Sequence, residues 1–254
     1  AHDATPTNEA PPMKGVILAG GLGTRLRPLT KITNKHLLPV FDRPMIYYPI
    51  ECLRNAGIED ILIVTGGNSA GDFLRLLENG DELGVNINYA YQRGEGGIAD
   101  ALRLAERFSG DERICVVLGD NIVERSIRKT VEEYEARGEG ACILLKEVED
   151  PERFGVAVRN GDRIERIIEK PKDPPSNQAV IGIYMYDREV FEIIKTLKPS
   201  GRGELEITDV NNAYIARDQM YYGLLEGWWT DAGTFGSLLR ASNLVAEGGA
   251  NRVD

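Results

Sequence analysis

The chain has 254 residues and a formal net charge of −10, with 30 Lys and Arg against 40 Asp and Glu, a balance that disfavours nucleic acid and anionic membranes as partners. Its two histidines and three cysteines cannot build a zinc site of imidazoles and thiolates, so a catalytic metal would rest on carboxylates, which points to magnesium. Cys52, Cys115 and Cys142 are widely spaced and odd in number, reading as reduced core thiols of a cytoplasmic protein, and no stretch has the length of a membrane span or the pattern of a secretory signal.

"AHDATPTNEAPP", residues 1–12, is polar and proline-rich without periodicity, which predicts a flexible leader or expression remnant ahead of one domain over 13–254, with Met13 as a natural start. Lys14–Ala19, Asp60–Thr65 and Ile114–Leu118 are short apolar runs bounded by turn residues, the pattern of strands buried on both faces of a parallel sheet; "NINYAYQ", 86–92, adds a further strand. Helical patterns fall between them at Met45–Ala56, Asp72–Glu78, Ile98–Phe108 and Ile127–Ala136, with Gly57 and Gly138 as stops, and Pro49 is expected to kink the first. The alternation implies right-handed βαβ units, an α/β fold of doubly wound type. Further on, "FGVAVRNGDRIERIIEKP" predicts a hairpin about Asn160-Gly161-Asp162 and "AVIGIYMYD" a strand, before helices at Val190–Leu197, Ile207–Arg217 and Phe235–Glu247.

Chemistry gathers at the strand ends. Gly20, Gly21 and Gly23 close the first strand in "GVILAGGLGTRLRPLT", inside a segment from Ala10 to Phe41 that has no acidic residue and holds Lys14, Arg25, Arg27, Lys31 and Lys35. Glycine lets backbone amides approach a phosphate, yet both the dinucleotide fingerprint and the P-loop fail here, since position 26 is Leu26 and no Lys-Ser/Thr follows. Arg25 is then the natural phosphate partner, against a plain reading as a solvated turn residue. Gln92 and Gly119-Asp120-Asn121 end other strands, so three groups converge on one rim, where open parallel sheets bind ligands.

"GNSAG", 67–71, matches a serine-hydrolase elbow, but His2 and His36 both precede Ser69, which reads instead as a helix-start residue. Asp120, and Asp231 in "GWWTDAGT", are carboxylates among apolar or small neighbours and are candidate magnesium ligands; each could also cap a turn. Glu169 and Lys170, at a strand end before a proline-rich turn, are expected to project from opposite faces, with Lys170 either at a phosphate or simply solvated.

Taken together, "GVILAGGLGTRLRPLT", "NKHLLPV", "VVLGDN", "DPERFGV", "IEKP", "RGELEITDVNNAY" and "WWTDAGT" resemble the glucose-1-phosphate thymidylyltransferases, a branch of the sugar-nucleotide pyrophosphorylases, in unbroken order from about Met13 to the last helix. The resemblance implies a nucleotidyltransferase, Rossmann-like fold with a mainly parallel mixed sheet flanked by helices. It also implies a transferase joining dTTP and α-D-glucose 1-phosphate into dTDP-glucose and pyrophosphate by in-line attack on the α-phosphorus, as in deoxysugar and polysaccharide precursor synthesis. Catalysis would be positioning and charge neutralisation.

By the same resemblance, Arg25, Lys170 and Asp120 are catalytic, Asp120 and Asp231 bind Mg2+, and Gly20, Gly21, Gly23, Thr24, Arg25, Lys35, Gln92 and Gly97 bind the nucleotide. Gly155, Glu169, Lys170, Tyr184 and Glu204 line the sugar. Ile181 stands where the family has a small hydroxyl residue, and Asp100 where relatives often carry glutamine. The chain resembles the short form, lacking C-terminal helices that serve assembly and feedback, which leaves a homo-oligomer and regulation open. Use of UTP or another sugar 1-phosphate, or a silent nucleotide-sugar sensor on the same fold, are the alternatives.

Overall fold

The apolar runs become adjacent strands. In the computed structural model, which describes residues 13–253, β1 (Lys14–Ala19) sits at the middle of the main sheet and buries both faces. Ile17 and Ala19 join one apolar cluster and Val16 and Leu18 another, as period-2 alternation requires of a strand covered on both sides. The leader expected over 1–12 lies outside the described residues.

After β1 the chain forms a small ribbon, β2 (Pro39–Val40) and β3 (Arg43–Pro44), then α1 (Tyr47–Asn55), β4 (Asp60–Gly66), α2 (Ala70–Leu77) and β5 (Asn86–Gln92). Next come α3 (Ile98–Leu102), α4 (Glu106–Ser109), β6 (Ile114–Leu118), β7 (Asn121–Val123), α5 (Arg128–Arg137) and β8 (Ala141–Glu147). The hairpin of β9 (Gly155–Asn160) and β10 (Arg163–Glu169) leads to β11 (Gln178–Tyr186), α6 (Glu189–Thr196), α7 (Ile207–Ala216), β12 (Met220–Leu224), β13 (Trp229–Asp231) and α8 (Phe235–Gly248).

One nine-stranded sheet runs in the order β10-β9-β11-β6-β1-β4-β5, with β8 paired to β11 and β12 to β8. β6, β1, β4 and β5 are mutually parallel, while β11 runs antiparallel to β6, β8 and β9. This is the mixed, mainly parallel sheet with flanking helices that was expected. β11 spans two neighbours on one edge: its first half pairs with β9 and its second with β6, and the splay falls at Ile181–Gly182. β13 pairs with β7 outside the main sheet, setting Asp231 opposite Asn121.

Three expectations change. Pro49 is the third residue of α1, where its missing N–H costs no intrahelical bond, so it marks the helix start rather than a kink. The helix expected over Ile98–Phe108 is divided between α3 and α4 by a 3-10 turn, Arg103–Ala105; there Arg103 Nε reaches Asp100 Oδ1 at 2.8 Å, an i,i+3 pair of the kind that tighter winding brings into line. Ser69 does hold the N-cap position of α2, but its hydroxyl makes no capping bond.

Candidate active site

The sheet topology delivers the loops after β1, β5 and β6 to one rim. There two cavities meet, one of about 410 Å³ and one of about 320 Å³, and Arg25, Asp120, Ile98 and Leu118 line both. Both volumes suit small-molecule ligands. Gly20, Gly21, Lys35, Gln92, Gly97 and Glu204 line the smaller; Gly155, Glu169, Lys170, Tyr184, Arg153 and Asp231 line the larger. Gly23 and Thr24 line neither: Gly23 adopts a left-handed φ of +62° and accepts a hydrogen bond from Thr30 Oγ1, shaping the turn behind the loop.

Asp120 stands at the junction. Lys35 Nζ lies 2.6 Å from its Oδ2, Asn121 Nδ2 donates to its Oδ1 at 3.0 Å, and both members of the ion pair have side chains only 14% exposed. Burial pushes the Asp120 carboxyl up, but Lys35, the adjacent imidazole of His36 and these hydrogen bonds outweigh it and hold the group well below the usual carboxylate range. His36 is itself buried, its Nδ1 2.7 Å from Asn34 Oδ1, and desolvation with Lys35 beside it pushes it down to about 3, so it is neutral at physiological pH.

Asp231 approaches from β13. A β-carbon built on Gly233 would lie 3.5 Å from Oδ2 of Asp120, 3.5 Å from Oδ2 of Asp231 and 3.1 Å from a guanidinium nitrogen of Arg25. Three charged groups from segments far apart in the chain therefore surround one point. Burial and the neighbouring Asp120 push the Asp231 carboxyl up, opposed by Arg153 and Arg25. Arg153 bridges outward, 3.2 Å from Asp231 Oδ2 and 2.7 Å from Asp150 Oδ2. No group of three or more His, Cys, Asp or Glu side chains is placed to hold a metal ion among the described residues. The donor set is thus two carboxylates facing a common space left by a glycine, which fits a hard cation that takes its remaining oxygens from phosphate and water.

Glu169 and Lys170 do not diverge. β10 ends at Glu169 and Lys170 takes a left-handed φ of +43°, with its amide donating to Phe154 O at 3.0 Å, so strand alternation stops and both side chains line the larger cavity, 3.6 Å apart. Lys170 is 48% exposed at its side chain and bridges cavity and solvent. Thr208 Oγ1 donates to Glu169 Oε2 at 2.5 Å. Tyr184 is buried, and desolvation followed by the Glu169 charge pushes its phenol well up, leaving a neutral hydroxyl. Glu204, assigned by resemblance to the sugar, lies beside Gly97 on the smaller cavity, within reach of Arg202 at 3.6 Å. Ile181 is fully buried in a core cluster, whereas Val180, Gly182 and Tyr184 of the same strand line the cavity, so Ile181 is turned away from any bound sugar.

The nucleotidyl transferase family model matches residues 14–248. This chain belongs to that family. Relatives of this nucleotidyl transferase include the glucose-1-phosphate thymidylyltransferases of Neisseria meningitidis serogroup A, 46% identical over 92% of this chain and 82% of that one, and of Mycolicibacterium smegmatis, 43% identical with the same coverage. Among solved structures, a candidate glucose-1-phosphate thymidylyltransferase of Bacillus anthracis in complex with sucrose superposes with a TM-score of 0.88 at 55% identity, covering 91% of this chain and 94% of its own. A UDP-glucose pyrophosphorylase complexed with UDP-glucose gives a TM-score of 0.80 at 27% identity, covering 93% and 99%.

Other residues at the junction were given no role by the sequence reading, which named Asn121 only as part of a strand-end group. Asn121 Oδ1 accepts from Gly182 N at 2.9 Å and Trp229 Nε1 at 2.8 Å while its Nδ2 supports Asp120, tying β7, β11 and β13 together at the junction. Its place beside Asp120 was the available signal, but Gly-Asp-Asn is also ordinary turn composition. Arg153, Arg202 and Thr208 lay within quoted motifs with nothing in their spacing to mark them.

Proposed function

We propose that this chain transfers the thymidylyl group of dTTP to α-D-glucose 1-phosphate, releasing pyrophosphate and leaving dTDP-glucose. The observation that carries this reading is the single point enclosed by Arg25, Asp120 and Asp231 where the two cavities meet. A reaction between two polyanions needs such a place: each reactant has its own compartment, and cations and a metal site stand where their phosphates come together.

On this reading the smaller cavity takes the nucleotide. The Gly20 and Gly21 backbone approaches the triphosphate, with Gly23 and Thr24 shaping the turn behind it, Arg25 and Lys35 neutralise it, and Gln92 and Gly97 face the base. The larger cavity takes the sugar, with Gly155, Glu169 and Tyr184 around the hexose, while Glu204 faces the smaller cavity. Lys170 reaches the sugar phosphate and steers its oxygen toward the α-phosphorus. Asp120 and Asp231 would hold a magnesium ion, which when bound offsets phosphate charge. No side chain is needed as a covalent carrier, since orientation and charge stabilisation lower the barrier for an in-line displacement.

A second reading, turnover of UTP, is favoured by the hydrogen-bonding edge that uracil shares with thymine; one methyl contact gives only modest discrimination. The buried free thiols of Cys52, Cys115 and Cys142 suit a reducing compartment, so we place the activity in the cytoplasm. No helix among the described residues is long and apolar enough to cross a membrane. Pyrophosphate release measured across nucleoside triphosphates and sugar 1-phosphates tests the assignment: turnover with dTTP, or UTP, and glucose 1-phosphate in the presence of Mg2+ supports it. Binding of dTDP-glucose without any turnover would make the protein a sensor instead.

A further inference from the structure

We propose that Asp100 sets pyrimidine selectivity by locking the amide of Gln92 with its carbonyl oxygen toward the base. Gln92, at the end of β5, is buried and lines the smaller cavity. Its Nε2 donates to Asp100 Oδ2 at 2.9 Å and to Gly97 O at 3.3 Å, which uses both amide hydrogens. Asp100 has a further partner in Arg103, whose Nε lies 2.8 Å from Oδ1, so the carboxylate is fixed at both oxygens.

A carboxylate accepts hydrogen bonds and cannot donate them, so it tolerates only one of the two amide orientations of Gln92. A glutamine or asparagine at position 100 would accept either orientation. With Asp100 present, Gln92 Oε1 is left facing the glycine loop, only 2.8 Å from where a β-carbon on Gly20 would stand, and no donor to it is found among the described residues. Gly20 thereby leaves that oxygen uncovered. A free carbonyl acceptor there pairs with the N3–H of thymine or uracil; cytosine, of the same size, presents a bare N3 lone pair and would meet an acceptor with an acceptor. Asp100 touches no base and acts through Gln92, as a positioning residue.

This inference rests on the reading of the smaller cavity as the nucleotide compartment. Its test is kcat/KM for dTTP, UTP and CTP with glucose 1-phosphate, in the wild type and in Asp100→Asn, Asp100→Ala and Arg103→Ala. Leaving the Gln92 amide with only its longer bond to Gly97 O, 3.3 Å against 2.9 Å to Asp100, is expected to shrink the dTTP-to-CTP ratio by up to about tenfold in both Asp100 variants, the worth of one mismatched buried hydrogen bond, while Arg103→Ala keeps the wild-type ratio. A merely structural role would lower both substrates in parallel, and an unchanged ratio in Asp100→Ala and Asp100→Asn overturns the proposal alone. A wild type that ignores pyrimidine triphosphates overturns the nucleotide reading with it. Should the Asp100 variants not fold, Gln92→Met, which removes the acceptor oxygen, is expected to collapse the same ratio, and its retention would count against the lock.

Discussion

Lys35 and Asp120, 85 residues apart in the chain, meet at 2.6 Å in the wall shared by the two cavities, and each side chain is 14% exposed. A buried carboxylate stripped of its ion-pair partner is costly, roughly 3 kcal/mol. Lys35→Met is therefore expected to lower metal-free stability by about that amount at pH 7 and to cut kcat/KM about 100-fold, with Asp120→Asn in the same chain restoring most of the stability. The folded pKa of Asp120 lies below its ordinary 3.8, so the stabilisation is complete above that value and is lost as pH falls beneath it. Urea unfolding between pH 7 and pH 3 checks this; equal stabilities of wild type and Lys35→Met at pH 7 would count against the pair.

Asp231 has the opposite sign. Its folded pKa is raised above 3.8, chiefly by burial and then by Asp120, so in the metal-free protein the ionised group costs stability above the folded pKa, and the cost fades as pH falls toward 3.8. Asp231→Asn is expected to unfold at a higher temperature than the wild type at pH 7 without metal, the gap closing near pH 4. Addition of Mg2+ with dTTP should stabilise the wild type more than the variant. Thermal scans with and without metal and nucleotide supply the comparison.

Gly233→Ala places a methyl group at the point that the site encloses, 3.5 Å from both carboxylate oxygens and 3.1 Å from Arg25. Those distances are tolerable for folding, so little stability should be lost, while Mg2+-dependent turnover should fall at least about 100-fold. Circular dichroism and pyrophosphate release on one preparation separate the two effects.

Asn121 gives a fourth expectation. Asn121→Ala orphans the Trp229 indole N–H and the Gly182 amide, both buried, and is expected to cost about 2–4 kcal/mol together with a fall in kcat from loss of support to Asp120. Asn121→Asp keeps the acceptor for both donors but sets a second carboxylate against Asp120, so it should retain more stability than Asn121→Ala and still lose activity.

Apolar runs were enough to find β1, β4 and β6, because strands buried on both faces carry little else, and the alternation within "NINYAYQ" was enough to find the half-exposed β5. β8 and β12 escaped: "ACILLKE" carries after Gly140 the same buried apolar run as β1 and was passed over, whereas "MYYGL" is half-buried with a glycine inside and shows no strand period. Asp120 and Arg25 were legible from their places after strands. Lys170 was legible as a charge at a turn, but its direction depends on one left-handed residue that no side-chain pattern announces. The links through Asn121 and Asp100 depend on register between distant segments, which single-chain periodicity does not encode.

The central claim is that Asp120 and Asp231 share one divalent cation between nucleotide and sugar phosphate. Crystals grown with dTTP and Mn2+ and measured at the manganese edge test it most directly. An anomalous peak bound by both carboxylates and by phosphate oxygen, beside Gly233, is the predicted result. A metal held by the triphosphate alone, with Asp120 still paired to Lys35 and Asp231 still paired to Arg153, would contradict it.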